Sequence, residues 1–168
     1  MLAPPSFITR DEPLAPRTTL RLGGSARYFA EARSVEALRE ALAWAKRARV
    51  GVAVLGGGSN VVVPDEGVDG LVLRLSFDEL FFDEALGIEP AQARAGAGLD
   101  WGSFVEGCVE RELAGVECLA GIPGTVGATP VQNVGAYGQE VSQTVASVRV
   151  PRRDPHGAPA RALRDARA

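Results

Sequence analysis

Apolar and polar positions follow two different periods in the first half of the chain. Apolar residues recur at Val35, Leu38, Leu42 and Ala45, which predicts an amphipathic helix. Ser34 suits its N-cap, Glu36 suits the positive end of the helix dipole, and Lys46-Arg47 stand near the close. Short apolar runs follow. Residues 52–55 predict a buried strand, 61–63 a second short strand and 71–75 a third, with residues 64–67 as a turn. Before the helix, residues 18–32 alternate loosely through Leu20, Leu22, Tyr28 and Ala30, and Gly23-Gly24 interrupts them. They read as two short strands, or a strand and a turn. Residues 1–17 hold four prolines and little periodicity, and read as an irregular arm.

A second unit follows, with the boundary expected within 76–90. Residues 76–91 mix acidic and aromatic side chains and predict a short helix and a hairpin. Residues 93–97 are strand-like, and Asp100 can cap a helix carrying Phe104, Val105, Cys108 and Val109 on one side. Residues 145–150 predict a further strand. The expected division is an arm over 1–17, subdomains over 18–80 and 81–150, and a tail over 151–168. In that tail, prolines and arginines alternate among alanines, and Leu163 is the only large aliphatic residue. Such a composition predicts disorder, because too little apolar surface is available to offset the ordering entropy. It also reads like out-of-frame translation of a GC-rich gene.

Composition narrows the function. An apolar fraction of 46% with 23% charged residues suits a soluble globular protein, and a net charge of −3 leaves no footprint for nucleic acid. No apolar run approaches the ~20 residues that span a bilayer, and the first ten residues lack a signal-peptide pattern, so cytoplasmic residence is the default expectation. Cys108 and Cys118 match neither a zinc-ligand spacing nor a CxxC pair, and read as small buried or half-buried thiols. The only histidine, His156, lies in the tail, so neither a His/Cys metal site nor a catalytic triad is expected. Lys46 is the only lysine and precedes both of the long glycine-rich loops, which excludes a Walker A motif.

Two glycine-rich loops carry the candidate chemistry. The first is Gly56-Gly57-Gly58-Ser59-Asn60, directly after the run ending at Leu55. The second begins Gly121-Ile122-Pro123-Gly124-Thr125-Val126-Gly127-Ala128 and continues to Gly135-Ala136-Tyr137-Gly138 without a charged side chain. Glycine backbones lie close against flat or anionic ligands, and clustered N–H groups make concave anion sites. Two such loops suggest one long ligand held at two places, and a dinucleotide fits. Neither loop matches the Rossmann fingerprint, whose third glycine and distal acidic residue are missing. The plainer reading of the first loop is a tight surface turn. The only two asparagines, Asn60 and Asn133, both lie in these loops.

These segments, together with Thr18-Thr19-Leu20-Arg21-Leu22-Gly23-Gly24, resemble the N-terminal FAD-binding portion of the UDP-N-acetylenolpyruvoylglucosamine reductases, flavoenzymes of peptidoglycan precursor synthesis. The most specific stretch is Asn133-Val134-Gly135-Ala136-Tyr137-Gly138, and the resemblance runs from about Thr18 to Val150. It implies an α+β, two-subdomain FAD-binding module of the vanillyl-alcohol-oxidase/PCMH type, lacking the C-terminal substrate-binding domain. Leu55, Gly56, Gly57, Gly58, Ser59 and Asn60 would lie at the pyrophosphate. Gly121, Ile122, Pro123, Gly124, Thr125, Gly127 and Ala128 would run past pyrophosphate and flavin, and Gly135 and Tyr137 would border the flavin. Tyr137 either reaches the substrate side or packs under the loop.

The resemblance also implies FAD as bound cofactor, NADPH as hydride donor and a UDP-sugar enolpyruvyl ether as substrate. The family's proton-donating serine and its enolate-stabilising arginine and glutamate belong to segments this sequence does not contain, so no catalytic residue is assigned, and no metal. Three readings follow: the reductase's flavin module, a non-catalytic FAD-binding fragment, or another FAD-linked oxidase of the same superfamily. An uncovered flavin face would favour self-association.

Overall fold

The computed structural model describes residues 2–83, 92–151 and 163–167. Strand β1 (Ile8–Pro13) pairs antiparallel with β2 (Ser25–Ala32), which is followed by helix α1 (Val35–Ala48). Strands β3 (Val52–Leu55) and β4 (Val68–Leu75) complete a four-stranded sheet in the order β1-β2-β4-β3, with β2 and β3 both parallel to β4. Helix α1 forms as its sequence predicts. The Ser34 hydroxyl accepts from the Ala37 amide at 3.1 Å, and Leu38, Ala41, Trp44 and Ala45 are buried along one stripe.

The two central strands are apolar on both faces through their middles, at residues 28–30 and 71–73, because both sheet faces are covered there. Tyr28, Ala30, Ala32, Leu71 and Leu73 meet α1 on one face, where the Tyr28 and Trp44 rings lie edge to face at 4.8 Å. Ala26, Phe29 and Val72 join Leu14, Leu55 and Val63 on the other. Ala26 and Phe29 share a face despite their odd spacing because the β2–β4 register shifts between Ala26 and Tyr28, as a bulge does.

Three expectations for this half are corrected. Residues 8–13 of the arm form a strand: Pro13 ends it, and as the sheet's edge it tolerates proline where a central strand would not. Residues 52–55 are a strand but mostly exposed (Val54 at 68%), because β3 is the opposite edge. Residues 61–63 are not a strand. Val62 is exposed, while Val63 packs into the second core. The segment 18–32 contains one strand, and the expected turn at 64–67 closes with the Gly67 amide on the Pro64 carbonyl at 2.9 Å.

The second half has little sheet. Strands β5 (Leu80–Asp83) and β6 (Gln92–Ala95) pair antiparallel; of the range 76–91 expected to hold a short helix, 76–83 contain none and 84–91 lie outside the described residues. Helix α2 (Trp101–Val109) starts at the Asp100 cap, which accepts from the Ser103 amide at 2.9 Å. Trp101, Val105, Cys108, Val116, Leu119 and Val141 form its core. Val109, expected on the buried side, is exposed, and Trp101 takes the central place instead. Burial pushes the Cys108 thiol pKa up. Phe77 packs with the first half and Phe82 with the second, so the change of core falls between them.

The chain continues through α3 (Thr129–Gln132), the hairpin of β7 (Gly135–Ala136) and β8 (Gln139–Glu140), and β9 (Ser147–Pro151). Within the segment read as a disordered tail, Leu163–Arg167 form β10, antiparallel to β9. A backbone ladder does not depend on the apolar content that the composition argument weighed. Residues 152–162 lie outside the described residues. Among the described residues no helix is long and apolar enough to cross a membrane.

Candidate functional site

The two glycine-rich loops meet. A Cβ on Gly57 would stand 3.1 Å from the Gly124 Cα, and one on Gly56 would stand 3.4 Å from the Thr125 Oγ1. The Ser59 hydroxyl donates to the Pro123 carbonyl at 3.4 Å. The missing side chain of Gly57 therefore lets the two backbones touch, while Gly124 is needed for its φ of +139°, and the seam between the loops joins the two halves of the molecule.

Each loop is braced from behind by different means. Gly58 has φ +76° and is buried, and any Cβ there would run into the Arg17 carbonyl. Its own carbonyl accepts from the Thr19 amide at 2.9 Å. Arg17 is anchored in turn by Glu12 at 2.6 Å and lies 4.0 Å over the Phe29 ring. The brace for the first loop thus comes from the segment read from sequence as an arm. The adjacent Thr18-Thr19 was the available signal.

The second loop is held by antiparallel pairing, with Thr125 opposite Asp100. The Trp101 amide donates to the Gly124 carbonyl (3.1 Å), and the Val126 and Gly127 amides donate to Leu99 and Ala97 (both 2.9 Å). The indole N–H of Trp101 donates to the Leu119 carbonyl at 2.9 Å, fixing the approach to the loop.

Among the described residues, the amides of Gly57, Gly58, Ser59, Asn60, Gly124 and Thr125 donate to no protein carbonyl. Unpaired amides on two touching loops, with the Ser59 and Thr125 hydroxyls beside them and no carboxylate within either loop, make a neutral donor-rich seam. Such a donor set suits an extended anion such as a pyrophosphate. The residues present therefore fit a dinucleotide cofactor.

The other sequence-predicted residues distribute around this seam. Leu55 is a core side chain at 7% exposure, so only its backbone is available. Asn60 and Pro123 are exposed, Ile122 packs on the second core, and Gly121 is exposed with φ +79°. Gly127 fits closely against Ala97, and Ala128 lies beside Gly56. Gly135 sits in the β7–β8 hairpin, and Tyr137 at its tip is 93% exposed. Of the two positions the sequence left open for Tyr137, packing under the loop is excluded.

Sequence reasoning missed a polar network that shapes this hairpin. The Gln139 side chain donates to Glu117 at 2.7 Å and accepts from the Cys118 amide at 2.9 Å. The Asn133 side chain donates to Glu140 at 2.9 Å and accepts from the Ser142 amide at 3.3 Å. Backbone amides at Glu117 and Gly115, and the Gln139 side chain, hold the Glu117 carboxyl below the usual carboxylate range. The Gln139 partners lie more than twenty residues away in sequence, and only Asn133 carried a hint. Among the described residues no cluster of metal-ligating side chains occurs.

The comparisons with known proteins agree with this geometry. The family described as FAD binding domain matches residues 26–154. The chain is 48% identical over 141 residues to the UDP-N-acetylenolpyruvoylglucosamine reductase of Thermobifida fusca, covering 84% of this chain and 39% of that protein. It is 53% identical over 135 residues to the reductase of the same name from Saccharopolyspora erythraea, covering 80% and 37%. Among solved structures, the UDP-N-acetylenolpyruvylglucosamine reductase (MurB) of Thermus caldophilus matches with a TM-score of 0.63 at 30% identity, over 82% of this chain and 46% of that one. A solvent-stable cholesterol oxidase shares the fold at 16% identity, with a TM-score of 0.55 over 99% of this chain and 35% of that one. The fold is thus the α+β FAD-binding module expected from the resemblance. The chain spans less than half the length of these relatives.

Proposed function

The chain belongs to the FAD binding domain family, and from that premise we propose that it holds FAD along the seam between its two loops as the flavin-binding part of a UDP-N-acetylenolpyruvoylglucosamine reductase. One observation carries the reading: among the described residues, the amides of residues 57–60 and of 124–125 have no partner, and they lie on two loops in direct contact.

In this reading FAD, when bound, supplies the two-electron chemistry that carries a hydride from NADPH to the enolpyruvyl double bond of a UDP-sugar. The chain's own residues bind and orient. Amides of 57–60, with the Ser59 hydroxyl and Asn60 side chain, take the pyrophosphate from one side. Amides of Gly124 and Thr125 take it from the other. Donors already fixed by the backbone need no reorganisation on binding, which is the advantage of a preorganised polar site. The lack of a carboxylate in either loop removes repulsion from the diphosphate. Exposed Tyr137 supplies an aromatic face beside the flavin. Proton donation and enolate stabilisation are assigned to none of the described residues.

The test is an absorption spectrum of the purified chain after incubation with FAD and desalting. Retained bands near ~370 and ~450 nm, typical of protein-bound flavin, are expected, with loss of retention in Gly57→Val, whose side chain would force the loops apart. Anaerobic bleaching by NADPH would extend the reading to the first half of the reaction. A chain that retains no flavin, or a Gly57→Val variant that retains it as well as the parent, would overturn the assignment of the seam.

A further inference from the structure

Tyr137 and Gly138 form a two-residue hairpin loop with φ +52° and +85°, the positive pair that a type I′ turn requires. Glycine adopts this conformation freely, but a bulky tyrosine does so at a cost and persists only where its surroundings over-determine it. The ring it carries is not the cause, since it is 93% exposed. The base of the hairpin is held on both strands: Asn133 bonds Glu140 at 2.9 Å, and Gln139 reaches a second element.

The Gln139 carboxamide makes two hydrogen bonds, to the Glu117 carboxylate at 2.7 Å and from the Cys118 amide at 2.9 Å. Both partners belong to the 3-10 turn Glu117–Leu119. That turn leads directly into the second glycine-rich loop, and its last carbonyl, Leu119, is held by the Trp101 indole. One side chain therefore ties the Tyr137 turn to the start of the loop at 121–127. We propose that Gln139 is a positioning residue that locks the Tyr137 turn and the second glycine-rich loop into one preassembled wall of the ligand site. The inference rests on the FAD reading above and deepens it. Ordering the wall in advance lowers the entropic cost of binding.

The test uses Gln139→Ala and Gln139→Glu in the full chain, with two readouts: FAD dissociation constant by flavin fluorescence, and backbone hydrogen exchange. Gln139→Ala is expected to weaken FAD about tenfold, as loss of two hydrogen bonds would. It should also speed exchange at 117–125 and 135–140 together while leaving 25–75 unchanged. In Gln139→Glu the new carboxylate faces Glu117 and Cys118 from the neighbouring turn, with Glu140 next to it on its own strand and β7 contributing only Gly135 and Ala136. Two facing carboxylates cannot both stay charged at low cost, but can share one proton. FAD binding by Gln139→Glu should accordingly be weak at pH 8 and recover toward the parent value at pH 5.

Unchanged affinity and exchange in Gln139→Ala, or no recovery at pH 5 in Gln139→Glu, would overturn the proposal. A change in exchange at only one of the two segments would overturn it too. If the parent chain itself retains no FAD, the functional reading fails, and the exchange comparison alone still decides whether Gln139 couples the two segments.

Discussion

The two halves of the molecule present one loop each to the same seam, yet they make those loops rigid in opposite ways. The first half builds a sheet with both faces covered, and its loop is the outlet of edge strand β3, braced by the Arg17 carbonyl beneath Gly58. Among its described residues the second half has the nine-residue helix α2, the single turn of α3, short hairpins and 3-10 turns, and its loop is held by hydrogen bonds to Leu99, Ala97 and Trp101. Apolar periodicity accounts for the first kind of order. The second kind depends on where individual donors and acceptors meet.

Replacing each half's buried tryptophan tests this most strongly. Trp44→Ala and Trp101→Ala should each cost about 3–5 kcal/mol in urea denaturation, the usual range for emptying a buried aromatic site. FAD retention should fall further in the second, because Trp101 also anchors Leu119. Equal retention in the two variants would erase the distinction. Gly58→Ala comes next, at roughly 3 kcal/mol, from a positive φ combined with the clash against Arg17. Gly121→Ala has open space around its Cβ and should cost only about 1 kcal/mol of backbone strain.

A milder pair separates packing from hydrogen bonding. Among the described residues Trp44 Nε1 has no partner, whereas Trp101 Nε1 has the Leu119 carbonyl. Trp101→Phe should therefore exceed Trp44→Phe by about 1 kcal/mol, one net hydrogen bond. If Trp44→Phe proves the costlier, the second half is held by packing after all. The two helix caps give a smaller effect: Ser34→Ala and Asp100→Ala should each lose about 1 kcal/mol. Only Asp100→Ala should weaken FAD, since residues 99–101 carry the second loop's hydrogen bonds.

The smallest effect is a pH dependence. Glu117 is held below its ordinary pKa by backbone amides and Gln139, and Glu31 by the Ser76 hydroxyl at 2.8 Å. A carboxyl depressed on folding contributes stability above its unfolded pKa and loses it as pH falls through the folded value. Protection against hydrogen exchange at 117–125, taken relative to the intrinsic rate at each pH, should thus fall below the ordinary carboxylate range, and Glu117→Gln should flatten that acid limb. Glu31→Gln should leave it in place, since Glu31 belongs to the other half. An unchanged acid limb in Glu117→Gln would place its origin elsewhere.

Helix α1 with its Ser34 cap, helix α2 with its Asp100 cap, the turn at 64–67 and both glycine-rich loops were legible in the sequence. Each is set by short-range chemistry: a period, a capping oxygen, a glycine where another residue would strain. The loops' chemistry pointed to a dinucleotide before their contact was visible. Tertiary structure alone decided the rest. It made residues 8–13 an edge strand, because pairing with β2 outweighs the proline that ends them. It left β3 exposed, because strand order is not written in a strand's own composition. It placed Val109 outside and Trp101 inside the second core. It also joined Glu117 to Gln139 and Gly57 to Gly124, contacts between residues too far apart in sequence for any local pattern to record.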